Sequence, residues 1–360
     1  MENSKERLIN LVRDKFKNSI KRYIKRMKKV ILFVFLTILV LTEVVAQSDT
    51  SVRIVFYGEQ HFQRGNLKIL EYIKDHIKDS TNVDLVIEIS PCEAYVASYC
   101  IKSNDYKLYK ELVVKNFKRK EGKYFNYLFH YLKANSNINL VGVDTEYYNG
   151  YTILLEMLNK FGYKDSIPND LHYFVYGLQT KEKDFKDDLF LQKDIDSLLV
   201  HCSISDKDFL LFIKETLESM KAGFFYGNNH LREDSIGIKA WEAREEYIEM
   251  RILQNAKESK NLKYVILGYY HSSRIPIGRF TPVYARIKQK LSFPMENVLI
   301  VYTKNGKLET SMNKKYHREL EQISRSIEKE KIFRFNESLY PQLSKLYSFY
   351  IVIDNAQSKR

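Results

Sequence analysis

Two copies of one short pattern, Gly-x-x-His, each follow an apolar run and end on a histidine. In the first, Arg53-Ile54-Val55-Phe56-Tyr57 runs into Gly58-Glu59-Gln60-His61; in the second, Lys263-Tyr264-Val265-Ile266-Leu267 runs into Gly268-Tyr269-Tyr270-His271. An imidazole can take a proton from water or ligate a metal, and Glu59 sits two residues before His61 in the same turn. Other carboxylates close other apolar runs: Glu88 ends Asp84-Leu85-Val86-Ile87, while Asp144 and Glu146 follow Gly142-Val143. Burying an acid at a strand end is costly unless it meets a cation, a metal or several donors. One such acid reads equally well as a helix cap. Acids at three strand ends, beside two histidines in equivalent positions, read together as a site.

Arg244 adds a cation. A helical wheel over 241–255 puts Trp241, Arg244, Ile248 and Ile252 on one face, and an arginine on an apolar face calls for a carboxylate or an anionic ligand. Glu59, Glu88, Asp144 and Glu146 are its candidate partners. Arg251, at the edge of the same face, is expected to snorkel to solvent. Gly227-Asn228-Asn229-His230 is formally a third Gly-x-x-His, but no strand precedes it and it reads as a loop. The chain has neither a Gly-x-Ser-x-Gly elbow, nor Gly-x-Gly-x-x-Gly, nor a P-loop, which disfavours a serine hydrolase and a nucleotide enzyme.

The elements that must position these residues are legible as runs. Strand-like segments fall at 52–57, 83–89, 138–143, 264–267, 298–302 and 349–353. Leu67, Leu70, Ile73 and Ile77 mark a helix after the first motif, and 93–135 reads as two helices. Each Gly-x-x-His is followed by a helix-like stretch and another β-branched run, a duplicated strand–turn–helix–strand unit. The alternation predicts an α/β fold with a mainly parallel sheet flanked by helices, in which ligands collect at the carboxyl ends of strands. The stretch 151–238 contains no convincing strand and reads as a helical insertion or cap, broken near Pro168-Asn169-Asp170 and again at 223–227.

Residues 1–29 hold 11 Lys/Arg against 3 Asp/Glu, and 30–42 is an uninterrupted apolar-plus-Thr run of 13 residues ending near Val44-Val45-Ala46. That is the pattern of an export signal cleaved after Ala46, with Met27 as an alternative start, and it predicts a periplasmic or secreted chain of 47–360. The run is too short to span a bilayer comfortably, so no membrane span is expected in the mature chain; the alternative is an uncleaved N-terminal anchor. Without 1–46 the net charge falls from +13 to about +6, and the remaining Lys/Arg alternate with acids. There is no basic stripe with interleaved aromatics, so nucleic acid is not an expected partner. Cys92, Cys100 and Cys202 form no C-x-x-C pair; the first two, eight apart on one helix, lie about 12 Å apart, beyond disulfide reach.

Gly-Glu-x-His after the first strand, Glu at the end of the second, Gly-x-Asp after the next, then Arg-Glu-x-x-Ile-x-x-x-Ile and strand–Gly-x-x-His form an ordered series over most of 51–303. The series resembles the superfamily of erythromycin esterases, ChaN-type haem-uptake proteins and TraB/TIKI proteins. The resemblance implies a duplicated α/β core with its site at the strand ends, and it carries over His61, Glu59, Glu88, Arg244 and His271. Esterase-like members use such a histidine–glutamate set as a general base on an ester; TIKI-like members use paired Gly-x-x-His motifs and a glutamate to hold a divalent metal for peptide hydrolysis. Esterases space the first Glu and His one residue further apart and carry His-x-x-His at the second site, where Gly268 stands here. The paired form is therefore closer to the ChaN and TIKI branches.

The sequence thus points to a hydrolase activating water on an ester or peptide bond of a small molecule or peptide. His61, Glu59, Glu88, Arg244, His271 and Asp144 are its site residues. In a metal version, His61, His271, Glu59 and Glu88 hold Zn, Mn or Fe; in a metal-free version, His61 is a general base oriented by a carboxylate. The alternative is a non-catalytic binder of haem or another small ligand, for which Tyr269 and Tyr270 are available.

Overall fold

The computed structural model describes residues 53–355 apart from 62, 64, 78–80, 117–118, 147–149, 167, 181–194, 277–279 and 326–328. The export signal read at 1–46 lies outside the described residues. The first half of the chain forms β1 (Ile54–Glu59), α1 (Asn66–His76), β2 (Val83–Ile87), α2 (Pro91–Lys102), α3 (Tyr106–Leu112), α4 (Arg119–Ala134) and β3 (Ile138–Gly142). Five helices follow: α5 (Gly150–Lys160), α6 (Asn169–Thr180), α7 (Ile195–Leu199), α8 (Lys207–Asn229) and α9 (Ser235–Glu258). The rest is β4 (Leu262–Gly268), α10 (Val283–Lys290), β5 (Met295–Lys304), β6 (Lys307–Glu309), α11 (His317–Ser324), β7 (Ile332–Arg334), α12 (Leu343–Leu346) and β8 (Phe349–Asp354).

The strands form one sheet in the order β3-β2-β4-β1-β5-β8-β7, with β6 on β5. Six strands are parallel, and β6 and β7 pair antiparallel at the margins. Every residue of β1 and β2 is buried, as expected where helices cover both faces of a parallel sheet. The duplicated units interleave: the β1–α1–β2 crossover passes β4, and the β4–α10–β5 crossover passes β1. The two crossovers run in opposite directions along the sheet, so right-handedness sends their helices to opposite faces. Accordingly Ile69, Leu70 and Ile73 of α1 share a core with Val55 and Tyr57. Val283, Tyr284 and Ile287 of α10 share the other with Ile54 and Phe56. A local two-fold axis along the strands, between β1 and β4, relates the two units and brings both Gly-x-x-His turns to the same end.

Helices α5 to α8 join the larger core: Leu154 and Met157 of α5, Phe174 of α6 and Phe212 and Leu217 of α8 pack there with Val96 and Cys100 of α2. Two expectations are corrected in this region. The 93–135 stretch holds three helices where two were expected, because Asp105 caps α3 through the Leu108 N–H at 3.0 Å. The break expected at 223–227 is absent, since α8 runs through Gly223 and Gly227 to Asn229. Gly223 marks a close approach: an added Cβ would lie 1.9 Å from the Glu146 carbonyl oxygen. The same continuation makes His230 the C-terminal cap of α8, where its carbonyl accepts from Trp241 Nε1 at 3.1 Å.

At the amino ends of the strands, away from both histidine turns, Asp84 of β2 lies in register with Lys263 of β4, both fully buried, with Nζ 3.3 Å from Oδ2. Carbonyl oxygens of Ser259 and Asn261 accept from the same ammonium at 2.8 and 3.0 Å. Removing one partner leaves a buried charge unmatched. Lys263→Met is therefore expected to destabilise the fold by about 3–5 kcal/mol in chemical denaturation, while Lys263→Met combined with Asp84→Leu recovers most of that loss.

Candidate active site

Four adjacent parallel strands, β3, β2, β4 and β1, end on one edge, and each delivers a polar group there. Glu59 is the last residue of β1 and His61 stands just beyond it; Glu88 follows β2; Asp144 follows β3; Gly268 ends β4 and a tight turn, with the His271 N–H on the Gly268 carbonyl at 2.9 Å, presents His271. Arg244 reaches the same edge from α9, whose Ile248 and Ile252 are fully buried beside it. All six residues expected from the sequence converge.

Glu88 is the hub. Its Oε1 accepts from Arg244 Nη2 at 2.6 Å and lies 3.4 Å from Nε2 of both His61 and His271. Its Oε2 accepts the Gly268 N–H at 2.6 Å. Arg244 also clamps Asp144 with two bonds, Nε to Oδ1 at 2.8 Å and Nη2 to Oδ2 at 2.7 Å, and its guanidinium lies over the Tyr226 ring at 5.1 Å. Gly268 has to be small: a Cβ there would stand 3.0 Å from His61 Nε2 and 3.3 Å from His271 Cδ2.

Each imidazole has its own rear carboxylate. His61 Nδ1 faces Glu59 Oε1 at 3.0 Å, and His271 Nδ1 faces Glu245 Oε1. Those carboxylates are tied down in turn. Asn66 Nδ2 donates to Glu59 Oε2, and the Tyr302 hydroxyl donates to Asn66 Oδ1; the Val283 N–H at the start of α10 donates to Glu245 Oε2 at 3.0 Å. Glu245 and Asn66 are not among the residues expected from the sequence. Glu245 had one signal, its place beside Arg244; Asn66 had one too, an amide at the first position of a helix that follows the His61 turn.

Two expectations need correction. Glu146 turns away from the histidines: its carboxylate meets the Cys92 thiol at 3.1 Å in a buried cluster with Ser90 and Glu93, where burial first and Glu146 second push Glu93 up to about 8. Arg251 is buried rather than snorkelling, because Glu215 of α8 comes within 2.6 Å of its Nη1.

The field of this site is set by carboxylates. Glu88 is driven up by burial, but His61, His271 and Arg244 outweigh that and hold it well below its usual range. Its charge raises His61 well above 6.5 against burial, with the Glu59 bond adding to the effect. Burial lowers His271, but Glu245 and Glu88 overcome it and push the ring up to about 9. Below that pH the His271 ring is an imidazolium with Nε2–H turned to Glu88; once neutral, Nε2 can accept from Arg244 Nη1, 3.2 Å away. A raised folded-state pKa gives stability that is full below the unfolded value of 6.5 and is lost as pH rises through about 9. Thermal melts from pH 6 to pH 10, about the span of these two values, are expected to show that loss, and His271→Asn is expected to flatten it.

The histidines open onto a cavity of about 630 Å³, of the size that takes a small organic ligand. Glu59, His61, Glu88, Arg244 and His271 make its polar floor, and Tyr226, Trp241, Tyr269, Tyr270 and Phe280 line its walls. The Trp241 and Phe280 rings stack with centroids 5.3 Å apart. Among the described residues of 151–238, Tyr226 is the one that reaches this wall.

The set His61, His271, Glu59 and Glu88 does not fit a Zn, Mn or Fe ion. Both oxygens of Glu88 are taken by Arg244 and Gly268, and both oxygens of Glu59 by His61 and Asn66. The Arg244 guanidinium already supplies the positive charge that Glu88 and Asp144 meet. Among the described residues no group of three or more His, Cys, Asp or Glu is arranged to hold a metal. Haem fits no better on the histidines, since both Nε2 atoms are turned onto Glu88. Tyr269, the tyrosine packed deepest in that wall, has its hydroxyl bonded to Ser311 at 3.2 Å.

No family model and no curated protein matches the chain. Solved structures do. A Bacillus cereus protein superposes with a TM-score of 0.57 at 11% identity, covering 84% of this chain and 88% of its own. A succinoglycan biosynthesis protein gives 0.55 at 11%, covering 87% and 90%. A mutant of the erythromycin esterase EreC, in its open conformation, gives 0.53 at 11%, covering 88% and 94%. A haem-bound ChaN of Campylobacter jejuni aligns with a TM-score of 0.32 at 13% identity, covering 72% of this chain and 84% of its own. The chain thus has the α/β fold of the erythromycin esterase EreC over most of both chains.

Proposed function

We propose that this protein is an exported hydrolase that activates water on an ester bond, with His61 as general base and no metal ion. The observation that carries this reading is the Glu59–His61 pair. The His61 side chain is 43% exposed at the cavity floor, with its Nδ1 held by a carboxylate that is itself fixed by Asn66. A base so oriented is held in one tautomer and contributes about 10²–10⁴ in rate. His271, 6% exposed and locked between Glu245 and Glu88, is a buried cation that with Arg244 steadies charge developing on the substrate oxygen. Arg244 has five N–H donors. Three meet Asp144 and Glu88, and a protonated His271 accepts none, which leaves the Nη1–H donors for that oxygen. The aromatic walls fit an apolar acyl or alcohol portion. The fold is one that an esterase uses, which agrees with the reaction class.

Because Glu88 and Glu59 hold a proton on His61, the base form grows in as pH rises through a value above 6.5. With a panel of aryl and alkyl esters, kcat/KM is expected to rise along a limb centred above that value. Glu88→Gln should move the limb to lower pH while reducing its plateau. His61→Ala is expected to cost about 10²–10⁴ in kcat/KM, and prolonged EDTA treatment to leave wild-type activity unchanged. Activity lost to EDTA and restored by a divalent ion, or retained in His61→Ala, would overturn the reading.

A further inference from the structure

Behind the Glu59–His61 pair lies a second, small cavity of about 30 Å³. Apolar side chains, Ile89 and Phe125 among them, line its sides, while Glu59, His61, Asn66, Glu88 and Tyr124 supply polar atoms. A water molecule needs roughly 10–15 Å³ of such volume and two to four polar partners, so this cavity has room for about two. Glu59, His61 and Glu88 line both this space and the large cavity in front, so the two spaces adjoin at these side chains. Tyr124 brings its phenol into the rear space near Glu59, whose charge, added to burial, keeps the hydroxyl protonated as a donor. Asn66 is committed to Glu59 and, at 3.2 Å, to the Gln60 carbonyl, so it shapes the wall rather than offering a free donor.

We propose that this rear cavity is the acceptor site of the reaction: it holds water against His61, with Tyr124 as its donor, and its size confines the nucleophile to water or molecules scarcely larger. The inference rests on the ester-hydrolase reading above. In the step it implies, a held water loses one proton to His61 as its oxygen bonds to the ester carbonyl carbon in front. The bond from that carbon to the alcohol oxygen then breaks. The proton passes from His61 to the departing alkoxide, and the products are a carboxylic acid and an alcohol. An alcohol too large for the rear space cannot take the place of water, so the enzyme hydrolyses and does not transfer acyl groups to larger acceptors. Tyr124 acts on the nucleophile and not on the ester, so its loss lowers kcat and leaves ester binding unchanged.

The test uses the whole chain and a cleavable ester from the panel, in buffer with added methanol or with an equal concentration of 2-propanol. Methyl ester is expected among the products and 2-propyl ester is not. In Tyr124→Phe, kcat should fall roughly tenfold, the size of one lost hydrogen bond to the reacting group, with unchanged affinity for a non-cleavable ether analogue of the ester. Equal partitioning to both alcohols, or an undiminished kcat in Tyr124→Phe, overturns the acceptor site while wild-type hydrolysis leaves the hydrolase reading standing. Absence of wild-type turnover on every ester overturns both.

Discussion

The Glu88 carboxylate is the point on which the site depends. It ends a fully buried strand, where a lone negative charge would be expensive, and four groups converge on it: the Arg244 guanidinium, two imidazoles and the Gly268 N–H. Each of those has its own tether, Arg244 on Asp144, His61 on Glu59 and His271 on Glu245. One charge thereby fixes side chains from β1, β2, β3, β4 and α9. Taking one member out leaves the others with buried charge unmatched, so the cluster is coupled rather than additive. The same crowding explains why the donor set does not suit a divalent ion: its lone pairs already point at protein hydrogens.

The sheet topology makes that convergence possible. Because each crossover passes the first strand of the other unit, β1 and β4 lie side by side and their terminal turns share one spot. Had each unit kept its two strands adjacent, the two histidines would stand two strands apart, about 9–10 Å, out of reach of one carboxylate oxygen. The Tyr269 N–H donating to the Glu59 carbonyl at 2.9 Å continues the ladder one residue into the turn and locks the two motifs in register.

Much of this was legible in the sequence. Glycine after a β-branched run, an acid at the end of another and an arginine on an apolar helix face are local patterns, and His61, Glu59, Glu88, Asp144, Arg244 and His271 followed from them. Partners supplied by tertiary contact were not. Glu242, Glu245, Glu246 and Glu249 crowd one helix, and what singles out Glu245 is the packing of α9 against α10, which sequence periodicity does not encode. The β6 and β7 strands have three residues each and pair at the margins, too short for an apolar rhythm. Gly223 looked like a helix break because glycine has two uses, and close approach of a neighbouring backbone is the one a sequence does not display.

Trp241 is the chain's single tryptophan, and it stands in the wall of the large cavity against Phe280. The molecule therefore carries a native optical probe at the place where a ligand would rest. Selective excitation of that indole separates it from the 27 tyrosines, so emission colour and intensity report wetting and filling of the chamber without any label. Occupancy can thus be followed in the unmodified protein, including under conditions where no bond is broken.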